Sequence, residues 1–218
     1  MTSQYTTSTT ESNSRKSKPV IFAVAGPSAS GKDTLARLVS ERLGYHPLVS
    51  WTTRPPRAGE ENGIDYWFAS KEEFKSAKNR GNFIEWSEFN GWFYGTPHDA
   101  VQESVNVGVF NLDGLAALAK HQDEYEVVPV FMEAPLLERL RRSVRRDGFS
   151  LEIVRRAFAD AKDFDKERIV NIRRLFRNRP LYFDYRYTGL KYTDSILTIF
   201  DSYAHLLLDS QANFLGHF

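Results

Sequence analysis

The 218-residue chain has no cysteine. Disulfides, thiolate nucleophiles and cysteine-based zinc centres are therefore excluded, and the composition fits a cytoplasmic setting. It has almost no net charge, with 29 Lys and Arg against 28 Asp and Glu, or +1. An overall footprint for nucleic acid or a membrane surface is thus missing, and only local basic clusters matter. No apolar run approaches the roughly 20 residues of a membrane span. The first residues carry no apolar signal-peptide core. Histidine is scarce: His46, His98, His121 and His217 show no ligand spacing, and His205 lies beside an apolar helical face, a structural position. The length corresponds to one globular unit with room for an inserted subdomain.

Residues 1–18 are rich in Ser and Thr and are expected to form a disordered tail. The first chemistry-bearing stretch is Gly26-Pro27-Ser28-Ala29-Ser30-Gly31-Lys32-Asp33. It fits the phosphate-loop pattern G-x-x-x-x-G-K-[ST] at every fixed position but the last, where Asp33 stands for Ser or Thr. Val20 to Ala25 before it reads as a buried strand. Asp33 to Leu43 after it carries Leu35, Leu38, Val39 and Leu43 at helical spacing, with Gly44 as the stop. Such a loop turns backbone N–H groups inward around a phosphate, and the helix N-terminus adds partial positive charge. The candidate contacts to nucleotide phosphates are Gly26, Ser28, Ser30, Gly31, Lys32, Asp33 and Thr34, with Lys32 as the mobile cation. The Asp33 carboxylate is a hard oxygen donor able to hold Mg²⁺.

His46 to Ser50 reads as a short strand. Thr52 to Glu60 is a polar stretch that Pro55 and Pro56 keep out of helix. Its Arg54 and Arg57 suit a phosphate, since guanidinium groups offer planar forks of donors; a solvated surface turn fits the stretch equally well. Asp65–Phe68 reads as a strand, Ser70–Lys78 as a helix, and Phe83–Phe89 with Trp92–Pro97 as a hairpin turning at Asn90-Gly91. Val107–Leu112 reads as a second buried strand followed by Asp113-Gly114, Leu115–His121 as a helix, and Val127–Met132 as a strand. The order implies a parallel sheet with helices on both faces. An acid after a parallel strand sits where nucleotide folds place a metal ligand, although Asp-Gly is also an ordinary turn.

Leu136 to Arg156 carries the main basic cluster, with Gly148 and Ser150 dividing two helical arms. The arrangement suits a mobile lid that brings guanidinium groups over a transferring phosphoryl group. Lys162–Asn178 continues as charged helix, Tyr185–Thr188 reads as an edge strand, and Thr193–Leu208 as an amphipathic helix.

Residues 20–164 resemble the guanylate kinase family. The resemblance rests on the loop Gly-Pro-Ser-Ala-Ser-Gly-Lys, on Thr52-Thr53-Arg54-Pro55-Pro56-Arg57-Ala58-Gly59-Glu60 with Asn62-Gly63-Ile64-Asp65-Tyr66, and on Phe83-Ile84-Glu85-Trp86 with Gly91-Trp92-Phe93-Tyr94-Gly95-Thr96-Pro97. It implies an α/β fold of the P-loop NTPase type, a parallel sheet flanked by helices with a small β-rich GMP-binding insert and a helical arginine-rich lid. It implies a core of 19–50 and 98–135, an insert of 51–97, a lid of about 136–160 and a C-terminal helical part of 161–218.

The implied activity moves the ATP γ-phosphoryl group to GMP or dGMP with Mg²⁺. The resemblance assigns the acceptor phosphate to Arg54, Arg57, Tyr66 and Tyr94, and the base to Glu85 with Ser50 and Thr96. Lys32 and the lid residues Arg139, Arg145, Arg146 and Arg156 take the catalytic roles. Asp113 matches an acidic acceptor-site position, and Asp33 and Asp113 are the candidate metal ligands. Asp33, Asn111 in place of a first acid, and a longer lid depart from the family pattern. Asp33 and Asn111 are also reminiscent of ribose 1,5-bisphosphate phosphokinases. A third reading is a non-catalytic module that binds partner peptides. The implied partners are small nucleotides, with no nucleic acid or membrane, and the chain acting as monomer or homodimer.

Overall fold

In the computed structural model, residues 17–184 and 193–215 are described. The centre of the molecule is strand β1 (Val20–Ala25), whose six residues are all buried. It lies in a five-stranded sheet with β2 (His46–Pro47), β7 (Val105–Phe110), β8 (Glu126–Glu133) and β9 (Leu181–Asp184), in the order β2-β7-β1-β8-β9. All the pairings are parallel. A parallel sheet is covered on both faces, and β1 shows this by alternation. Val20, Phe22 and Val24 enter one core with Leu35 and Val39 of α1 (Lys32–Leu43) and Ile196 and Phe200 of α7 (Thr193–Leu215). Ile21, Ala23 and Ala25 enter the other, with Leu115 and Leu118 of α3 (Leu112–Leu118) and Ile172 of α6 (Lys166–Arg173).

Residues 51–97 build a second, four-stranded sheet, with β3 (Trp51–Thr52), β4 (Trp67–Phe68), β5 (Phe83–Phe89) and β6 (Trp92–Pro97) in the order β4-β3-β6-β5. The β5–β6 turn has Asn90 at φ 52 and Gly91 at φ 77, both left-handed, as a two-residue hairpin requires. Helix α2 (Lys71–Asn79) starts on a capping box between Ser70 and Glu73. It buries Phe74 against Phe83 and Phe93, a small core separate from the main one. The stretch expected to form a lid is a helical pair, α4 (Leu136–Asp147) and α5 (Leu151–Asp163).

Several boundaries differ from expectation. The strand expected over Val107–Leu112 runs from Val105 to Phe110; Asn111 caps α3, accepting from Gly114 N–H at 2.7 Å, so Asp113 lies in the first helical turn. The short strand at His46 ends at Pro47. The charged stretch after the lid breaks at Phe164 before α6 begins. The expected edge strand at Tyr185–Thr188 lies outside the described residues, and β9 supplies the edge instead. Helix α7 runs on to Leu215. The expected tail lies outside the described residues up to 16; Lys18 is tied down, its N–H donating to Gln211 Oε1 and its Nζ to the Gln122 carbonyl. His205 is exposed and pairs with Asp201 at 3.6 Å.

Phe200 is fully buried, with its ring 4.8 Å from that of Phe22 and 5.6 Å from that of Phe183. Phe200→Ala is expected to destabilise the protein by about 3–5 kcal/mol, the usual cost of emptying such a site. By calorimetry this should lower Tm by roughly 10 °C. An unchanged Tm would show that α7 does not cover this face of the sheet.

Candidate functional site

The phosphate loop leaves β1 at the C-terminal edge of the central sheet, where open parallel sheets place their ligands. A Cβ at Gly26 would stand 2.7 Å from the Met132 carbonyl oxygen and from Ser30 Oγ, so the turn there accepts no side chain. Ala29 (φ 60) and Gly31 (φ 102) are left-handed, and Ser30 N–H closes the loop on the Pro27 carbonyl at 3.1 Å. Gly31 then caps α1. Ser30 Oγ is buried without a partner. Lys32 Nζ donates to Asp33 Oδ2 at 2.9 Å. Asp33 is 64 % exposed although the cleft walls crowd it. That crowding raises its pKa; the Lys32 charge, their hydrogen bond and the charge of Arg57 outweigh it, leaving the carboxyl below the ordinary value. Thr34 is exposed on the first turn.

Across the cleft, Arg54 is buried and held as a fork: Nη1 and Nη2 each donate to Glu60 at 2.9 Å, and Nη1 also to the Pro55 carbonyl at 2.7 Å. Desolvation opposes the Arg54 charge, but Glu60 overcomes it and raises the pKa; Glu60 is lowered in return. Arg57 shares the same carboxylate, through its N–H at 2.7 Å and its guanidinium at 3.8 Å. The Arg54 guanidinium lies 5.5 Å from the Tyr66 ring centre, and Tyr66 meets Tyr94 edge to face at 6.1 Å. Burial, then the charge of Asp33, pushes the Tyr66 hydroxyl well above its usual pKa. Arg54, Arg57, Tyr66, Tyr94 and Asp33 therefore form one electrostatic neighbourhood.

Glu85 is the unusual group. A register irregularity between Phe83 and Glu85 leaves three consecutive side chains buried. Phe83 enters the insert core, Ile84 the main core, and Glu85 faces Thr96. Thr96 Oγ1 donates to Glu85 Oε1 at 2.7 Å, and Ser50 Oγ stands 3.0 Å from Thr96 Oγ1. A Cβ at Gly114 would lie 2.7 Å from Glu85 Oε2, so the bare first turn of α3 makes room for the carboxylate. Burial pushes the Glu85 carboxyl up to about 7, against the hydrogen bonds from Thr96. No salt bridge reaches it among the described residues.

In the lid, Arg139 is buried and pairs with Asp160 at 3.2 Å. Arg145 and Arg146 are exposed in the last turn of α4. Arg156 lies on α5, its side chain outside the described residues. Asp113 does not stand at a strand end: Arg168 of α6 holds it, and Arg168 also takes Asp163 at 3.0 Å. Among the described residues no group of three or more His, Asp or Glu could hold a metal by itself. Magnesium needs no such cage, because substrate phosphates complete its shell. Asp33 fits that pattern as a carboxylate donor, whereas Asp113 is committed to Arg168.

Sequence reading passed over Glu60, Asp160 and Arg168 as site residues. Glu60 could have been found as the acid three residues after Arg57. Asp160 and Arg168 carry no local signal, since their partners are distant in sequence. Asn111, read as a missing acid, has a job of its own, capping α3 and bonding Ser87 Oγ at 2.8 Å through Nδ2.

The profile of the guanylate kinase family matches residues 16–167. Guanylate kinase from Symbiobacterium thermophilum is 40 % identical over 157 residues, covering 70 % of this chain and 74 % of that protein. The enzyme of the same name from Maricaulis maris is 41 % identical over 151 residues, covering 66 % of this chain and 69 % of its own length. The crystal structure of guanylate kinase from Anaplasma phagocytophilum superposes with a TM-score of 0.61 at 26 % identity, covering 89 % of this chain and 96 % of that one. No helix among the described residues is long and apolar enough to cross a membrane.

Glu85 links stability to pH. Its folded pKa of about 7 lies above the ordinary 4.5, so its contribution is fully present below pH 4.5 and is lost as pH rises through 7. At pH 8 the ionised, buried carboxylate costs on the order of 3 kcal/mol. Glu85→Gln is expected to raise Tm over the parent at pH 8 and to erase most of that gain at pH 5. An equal difference at the two pH values would refute the shift.

Proposed function

The chain belongs to the guanylate kinase family, and from that membership we propose how its residues share the transfer of a phosphoryl group from ATP to GMP. The enzyme is an ATP-dependent nucleoside monophosphate kinase, giving ADP and GDP. The observation that carries the division of labour is a buried carboxylate, Glu85, that no salt bridge reaches among the described residues.

Guanine presents adjacent N1–H and N2–H donors, which one carboxylate accepts together. Adenine presents an acceptor at N1 and would leave Glu85 unpaired, a costly state for a buried polar group. Thr96 and Ser50 form a relay behind Glu85 that fixes its rotamer. Arg54 and Arg57, steadied by Glu60, bring their guanidinium charge to the acceptor phosphate, with the hydroxyls of Tyr66 and Tyr94 beside them. The high Tyr66 pKa keeps it a donor. dGMP offers the same base and phosphate and is taken as an acceptor too.

The donor's phosphates lie against the loop from Gly26 to Thr34, whose Ser28 and Ser30 N–H groups are already held by Asp160 and the Pro27 carbonyl. Lys32 leaves Asp33 for the β- and γ-phosphates and stabilises charge on the moving group. Arg139, Arg145, Arg146 and Arg156 add positive charge from the lid, so transfer needs positioning and electrostatics but no covalent intermediate. Asp33 is the residue that would hold Mg²⁺, which would supply positive charge against the donor's phosphates. Asp113 keeps its pairing with Arg168 and shapes the acceptor wall. Closure of the insert and lid excludes water, which would otherwise hydrolyse ATP.

Lys32→Ala is expected to lower kcat by at least about 100-fold, the usual effect of losing one oxyanion donor. GMP affinity, measured by calorimetry, should remain within about twofold, because Lys32 serves the donor. Turnover close to the parent's would remove Lys32 from the mechanism. Glu85→Gln should narrow the preference for GMP over AMP in kcat/KM by about 100-fold. An unchanged preference would take base reading away from Glu85.

A further inference from the structure

Asp160 joins three pieces of the site, and no motif marks it. It sits on α5, 1 % exposed, with Oδ2 accepting from Ser28 N–H of the phosphate loop at 3.0 Å. Oδ1 takes the Ser28 hydroxyl at 3.3 Å. Oδ2 also accepts from Arg139 Nη1 of α4 at 3.2 Å. One carboxylate thus ties both lid arms to the donor-phosphate loop. Ser28, Arg139, Ser143 and Asp160 line one narrow crevice there.

The pair is a poor stabiliser. Desolvation pushes the Asp160 pKa up in spite of Ser28, Arg139 and Lys32, and pushes Arg139 down in spite of Asp160. Both partners move toward neutrality, the mark of a buried ion pair whose attraction falls short of its desolvation. Arg139 Nε is also buried without a partner. A guanidinium carries its donors on a rigid planar fork, so fixing one N–H fixes the direction of the rest. The other N–H groups of the guanidinium, aimed by that fork, are suited to a phosphoryl oxygen.

We propose that Asp160 is a positioning residue for phosphoryl transfer: by holding Nη1 of Arg139 against the Ser28 lip of the phosphate loop, it sets where the Arg139 fork meets the donor's terminal phosphate. This rests on the lid role assigned to Arg139 above. Asp160 never touches the nucleotide; it acts through Arg139 and Ser28.

The test uses the full-length enzyme with Asp160→Asn, Asp160→Glu, Arg139→Ala and the double variant Asp160→Asn/Arg139→Ala. Rates are taken per folded molecule, judged by circular dichroism, so that a merely structural contact would leave kcat unmoved. Asp160→Asn should lower kcat by about 100-fold, the scale of an ångström-level misplacement. KM for GMP should stay within about twofold, since the acceptor side is untouched. Asp160→Glu, which keeps the charge but pushes it a methylene further, should also lower kcat, and decides the matter if the Asn variant does not fold. In the Arg139→Ala background, Asp160→Asn should add less than about threefold, because residues acting as one unit are not additive. Parent-like kcat in the Asp160 variants, or fully additive losses, overturns the inference. Parent-like kcat in Arg139→Ala instead removes the lid role of Arg139, and this inference with it.

Discussion

Ionised groups are kept from water at this site, and the arrangement of everything around it follows from how each is compensated. Arg54 has a bidentate partner in Glu60 and stays charged. Arg139 and Asp160 compensate each other only partly. Glu85 accepts from the Thr96 hydroxyl, no salt bridge reaches it among the described residues, and its ionisation is held back until about pH 7. The three cases form a series from complete to absent compensation. A group left short by the protein is one whose energy a ligand can improve, and the shortfall is largest where selectivity is assigned.

The backbone places these groups by dividing labour between two sheets. The parallel sheet, covered on both faces, ends its central strand at a loop too tight for any Cβ at its first glycine. The smaller sheet carries the residues proposed for the acceptor on strands joined by a two-residue turn and packed on their own aromatic core. Side chains crossing between the units include Ile84, which packs into the main core beside Glu85, Ser87, which bonds Asn111, and Thr96, whose hydroxyl meets that of Ser50.

Much of this was readable in residue order. The six apolar residues of β1, the glycine spacing after them and the Asn90-Gly91 turn are local signals, and local signals locate elements well. The alternation of Phe83–Phe89 suggested a regular strand, yet the irregularity at its start, which turns Glu85 inward, has no one-dimensional marker. The strand end near Asp113 shifts for a related reason: Asn111 reads as a substituted acid at a strand end, whereas its short side chain caps a helix that begins one residue later. Asp160 and Arg168 were invisible because what matters is their distant partners, Ser28 and Asp113. Arg54 and Arg57 stand out as paired arginines, whereas the Glu60 that holds both is an ordinary acid in sequence and declares itself only through its hydrogen bonds.

Strand β1 has its hydrogen-bonding neighbours far along the chain, Val20 pairing with Val105 on one side and Glu126 on the other. Both its edges stay bare on the ribosome until β7 and β8 have been synthesised. Pairings of such long sequence separation carry a large loop-closure cost and form slowly. The insert can meanwhile assemble from neighbours close in sequence. The smaller sheet is thus set to mature before the larger one, and the loop after β1 takes its final shape late in folding.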